Sequence, residues 1–137
     1  MCLGLKLPSD YQILKAIYKL YLKEFINYSN KEKARDNKVY VPIDCKKIAE
    51  HLNVDPDMVF GRLHYYLTDK YSYKKNDGSM VYLFTTFELK EKNCINFPLM
   101  TSILAGMYQD KLRFNLSTWV SIGGAILSLG AALFNLN

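Results

Sequence analysis

The sequence predicts an α+β domain followed by a long apolar helix. Three observations carry this: a helix-period apolar pattern near the start, short apolar runs separated by turn signals in the middle, and a stretch without charge from Phe114 onward. At 137 residues the chain has room for one compact core and an appendage. Half of its residues are hydrophobic, too many for a disordered chain.

Ser9 with Gln12 three residues later forms a capping box, and Leu14, Ile17, Tyr21, Phe25 and Tyr28 recur at helical spacing, so the first helix is expected over 10–28. A charged stretch at 30–38 reads as a loop, and the run at 39–43 as a short strand whose Pro42 suits a sheet edge. Asp44 can cap a second helix over 45–52, which Asn53 can end in the left-handed conformation. Asp55 and Pro56 then supply an N-cap and a first-turn proline for a third helix, with Val59, Leu63, Tyr66 and Leu67 on its buried face. Strands at 71–75 and 80–84 flank Asp77-Gly78, a strong hairpin turn signal. A charged link at 88–92 leads to a further helix opened by Phe97-Pro98.

The expected organisation is an N-terminal segment over 1–9, a compact domain over 10–92, a linker helix over 93–114 and a single transmembrane helix over 115–137. The run 116–136 would span roughly 30 Å of hydrocarbon, Trp119 would sit at the interface, and Lys111 with Arg113 would hold the preceding domain in the cytoplasm. The lipid bilayer is therefore one expected partner. Ser121, Ala125, Ser128 and Ala132 form a small-residue stripe that predicts self-association into a homo-oligomer. The N-terminus shows neither a signal peptide nor a glycine placed for myristoylation.

The order helix, strand, helix, turn, helix, hairpin resembles the winged-helix branch of the helix-turn-helix superfamily, most specifically over 48–63. The resemblance implies a helix-turn-helix whose third helix enters the DNA major groove and whose hairpin touches the backbone. Double-stranded DNA is then the expected partner of a transcriptional regulator. The residues carried over are Lys46 and Lys47 at the second helix, Asp57, Met58, Phe60, Arg62, His64 and Tyr65 on the third, and Lys74, Lys75 and Asn76 on the hairpin. Arg62 would pair with a guanine edge and the lysines with phosphates.

The charge distribution opens an alternative. Of the net +5, residues 1–40 contribute eight basic against four acidic groups, while 41–96 carry eight of each. DNA affinity comes largely from cations reaching phosphates. Met58, Phe60 and Tyr65 would serve equally as anchors for a protein partner at the third helix, in an interaction or sensor module of a membrane-acting oligomer.

No catalytic residue, metal site or cofactor is expected. His51 and His64 lie on different helices without an acidic partner, and Cys2, Cys45 and Cys94 form no CxxC pair.

Overall fold

The computed structural model describes residues 7–30, 37–87 and 92–134, with side chains over 7–28, 37–86 and 92–126. The chain divides into two compact units, Met1–Leu104 and Ala105–Asn137.

In the first unit, α1 (Asp10–Ile26) begins at the capping box, in which the Ser9 hydroxyl accepts from Gln12 N–H at 3.2 Å and the Gln12 side chain accepts from Ser9 N–H at 2.9 Å. A 3-10 turn, Asn27–Asn30, ends it. Next come β1 (Tyr40–Pro42) and α2 (Cys45–Leu52), where the Asp44 carboxylate caps Lys46 N–H at 2.9 Å. Asn53 closes α2 at φ 55°, a conformation an asparagine tolerates better than most residues.

α3 (Pro56–Gly61) starts on its Asp55 cap and continues without a break through a π-helical turn, Arg62–Leu67, into α4 (Thr68–Tyr71). The π turn has a packing reason. Val59, Leu63 and Leu67 stand four apart, and four α-helical residues overshoot a full turn by about 40°. The wider i→i+5 turn, seen in Thr68 N–H donating to the Leu63 carbonyl, winds the chain back, and all three side chains are fully buried. Tyr66, expected on the buried face, is turned outward instead.

The hairpin is shorter than expected. It is a two-stranded ribbon, β2 (Tyr73–Lys74) and β3 (Met80–Val81), closed by Gly78 at φ 89° and by the Asp77 carboxylate, which accepts from both Ser79 N–H and its hydroxyl. Phe84 belongs to a separate strand, β4 (Phe84–Phe87), which pairs with β5 (Lys92–Asn96). The expected linker helix over 93–114 is corrected accordingly. Residues 92–96 form the central strand of an antiparallel sheet ordered β1-β5-β4, and the helix begins only at Phe97. Pro42 sits on the edge strand β1, where its missing N–H costs no ladder bond.

α5 (Phe97–Phe134) contributes its first turns to this unit. Phe97 is buried in a ring stack with Phe25 at 4.7 Å and Tyr18 at 6.1 Å, so α1 covers the start of α5. The core thus joins α1, α2 and the α3 rod to one face of the sheet, through Ile13, Ile17, Ile48, Leu63, Phe84 and Ile95.

The second unit is the remainder of α5. Here the expectation of a transmembrane helix over 115–137 is overturned, and with it the single-pass membrane localisation. Among the described residues no helix is long and apolar enough to cross a membrane. Asp110, Lys111 and Arg113 place charged side chains within α5. Asn115, Ser117, Thr118 and Ser121 dilute its apolar content further.

Candidate interaction surface

The α2–α3 pair and the ribbon present the residues singled out from the sequence, and the structure sorts them into three groups. The first surrounds Arg62. Its Nε donates to the Asp10 carboxylate at 2.6 Å, and its guanidinium lies 3.7 Å from the centre of the Tyr66 ring. The hydrogen bond that Arg62 donates to Asp10 raises the Arg62 pKa further, with the Asp10 charge and the Tyr66 contact adding to it. The guanidinium is therefore held against α1 and Tyr66, with its side chain 40% exposed and that of Asp10 17%. Nothing in the sequence marks this pair, because its members are 52 residues apart.

The second group is aromatic. Phe60 stacks on His64 at 5.1 Å, and the rings of Tyr65 and the buried Phe84 each meet both of them edge to face. Phe60 is half-buried by this cluster, whereas Tyr65 is 75% exposed. Met58, 51% exposed, joins Leu7, Pro8, Gly61 and Tyr66 along a groove of about 380 Å³ between the start of α1 and α3. Asp57 lies on the same rim, its N–H taken by the Asp55 cap at 2.8 Å.

The third group is cationic and dispersed. Lys46 and Lys47 are exposed on the first turn of α2, the latter with its ammonium 5.6 Å from the Tyr21 ring. Lys74, Lys75 and Asn76 are exposed on the ribbon. On α5, Trp119, Ser121 and Ala125 are exposed, while the side chains of Ser128 and Ala132 lie outside the described residues.

Among the described residues no three His, Cys, Asp or Glu side chains are placed to hold a metal ion. Burial pushes the Cys45 thiol up to about 11, with the Asp44 charge adding to the shift, so it stays protonated near neutrality.

No family model, curated protein or solved structure matches this chain. The winged-helix resemblance accordingly rests on the order of elements from α1 to β3.

Proposed function

We propose that the chain is a non-enzymatic binding module that takes a protein partner on the exposed face of α3 and of the π turn that continues it. The observation that carries this reading is the commitment of Arg62 to Asp10 and Tyr66, which leaves Met58, Tyr65 and Tyr66 as the large side chains offered outward. Aromatic residues, methionine and arginine are enriched at the centre of protein interfaces, and charged carboxylates and lysines are depleted there. DNA binding makes the opposite demand, several free cations directed at phosphates. Asp57 at the start of α3 would face those phosphates with the wrong sign.

A second reading, double-stranded DNA as the ligand, is favoured by the exposed Lys74 and Lys75 at the end of a ribbon that follows a helix-turn-helix. Photo-crosslinking in cells, with a benzophenone side chain at position 65 of the full chain, separates the two. The protein reading expects an adduct that protease destroys and nuclease leaves intact, and that fades when Met58→Ala is introduced. A nuclease-sensitive adduct, or steeply salt-dependent binding of purified protein to random duplex DNA, would overturn it.

A further inference from the structure

A second groove, of about 550 Å³, lies between the β2–β3 ribbon, β1 and the beginning of α5, all within the first unit. Its walls include Val39, Met80, Leu99, Lys75 and Asn96. The volume is within the range of small-molecule sites, which combine apolar walls with a few placed polar groups.

Asn96 is the polar group that the fold leaves incomplete. It is 6% exposed. Its backbone N–H donates to the Leu83 carbonyl at 2.8 Å, and its side-chain oxygen accepts from Leu99 N–H at 3.1 Å, capping α5. That second bond fixes which end of the amide is oxygen. The amide nitrogen then carries two donors with no acceptor among the described residues, and a buried donor without a partner is costly.

The start of α5 offers no other free donor here. Phe97 N–H goes to the Val39 carbonyl at 2.9 Å, Pro98 has none, and Leu99 N–H is taken by Asn96. What remains is the positive end of the helix dipole, with Asn96 and the exposed Lys75 lining the same groove. A neutral acceptor would use the amide alone. A carboxylate also meets the dipole and the ammonium, and Val39, Met80 and Leu99 give an attached apolar body a surface.

We propose that this groove binds a small organic carboxylate with an apolar body, its carboxylate on the Asn96 amide and Lys75. The site shares no residue with the α3 surface, so the two readings stand or fall separately.

The test is titration of the full chain with octanoate, octanol and acetate, read from the Asn96 side-chain amide and the Met80 methyl resonances. Octanoate is expected to give saturable shifts at a Kd on the order of 1 mM. Octanol, with the body but no charge, and acetate, with the charge but no body, should each bind at least about tenfold more weakly. Asn96→Asp keeps an acceptor for Leu99 N–H but replaces the donor with a negative charge. It should lower octanoate affinity at least about tenfold, read at Met80. Lys75→Gln, on the exposed ribbon where folding is not at stake, should lower it by roughly threefold. Absence of saturable shifts, octanol binding as tightly as octanoate, or both variants binding octanoate like the unmodified protein would overturn the proposal.

Discussion

Replacing Gly61 with alanine should raise stability while weakening the proposed interaction surface. Gly61 sits at φ −60°, ψ −41° inside the α3 rod, a backbone any residue adopts, so nothing local requires glycine. An added Cβ meets only Tyr65 Cδ2, at 3.9 Å, an ordinary van der Waals distance. Alanine in a helix interior is favoured over glycine by about 0.5–1 kcal/mol, and no steric term opposes the gain. For a domain of this size that corresponds to a rise of roughly 2–8 °C in Tm, measurable by calorimetry or circular dichroism. Gly61 also forms part of the groove beside Met58 and Arg62, so the new methyl occupies space that a partner side chain would use. The position-65 crosslink should weaken accordingly. A fall in Tm would refute the backbone argument. A higher Tm with an unchanged crosslink would refute the role of the groove.

Leu63→Ala removes a fully buried side chain from the π turn and should cost about 3–4 kcal/mol in urea unfolding, and a loss below about 1 kcal/mol would contradict the packing described. Asp10→Asn should change stability by less than about 1 kcal/mol, since Arg62 is 40% exposed, yet it frees a guanidinium on α3. Any residual duplex-DNA binding should then gain about one unit of salt slope, and an unchanged slope would mean that Asp10 does not restrain Arg62. Because burial raises the Cys45 thiol from its usual value near 9.0 to about 11, the folded state holds that proton more tightly than the unfolded chain. Stability should therefore be complete below pH 9 and decline between about 9 and 11, and Cys45→Ala should remove part of this decline. Tyr21, also raised by burial, adds to it in the same direction at higher pH, so a curve of identical shape in the alanine variant would count against the Cys45 contribution. Trp119, 72% exposed, and Leu112 offer apolar surface on the second unit. If this surface self-associates, Trp119→Glu should reduce the mass measured by light scattering, and a mass already monomeric before the change would dismiss homo-oligomerisation through α5.

The local elements were legible because their determinants are contiguous. Ser9 and Gln12, Asp44, Asn53, and Asp55 with Pro56 each act on backbone groups within a few residues, and the structure places caps at those positions. Asp77-Gly78 likewise closes a ribbon on its own chemistry. What escaped depends on residues far away. Lys92–Asn96 carries only two apolar side chains, and it becomes the central strand because β1 and β4 supply its hydrogen-bond partners from both sides. The apolar pattern of α3 could not foretell that Tyr66 turns outward. That outcome follows from the two strict four-residue spacings of the core and the wider turn that reconciles them.

The uncharged run after Arg113 shows the limit of reading one property along the chain. It suggested a span, whereas among the described residues no helix is long and apolar enough for one, with Asn115, Ser117, Thr118 and Ser121 standing in the run. The same limit applies at the surface. The sequence by itself determined where α1, α2 and α3 start, which turn is tight, and that the segment following Pro56 carries one arginine among aromatics. Only the tertiary structure decided that this arginine faces Asp10 across 52 residues and that the Asn96 amide is buried with donors to spare. The reason is physical. Caps and turns are settled by bonds within a few residues, while the fate of a side chain's charge or donor depends on whatever distant segment the packed core brings against it.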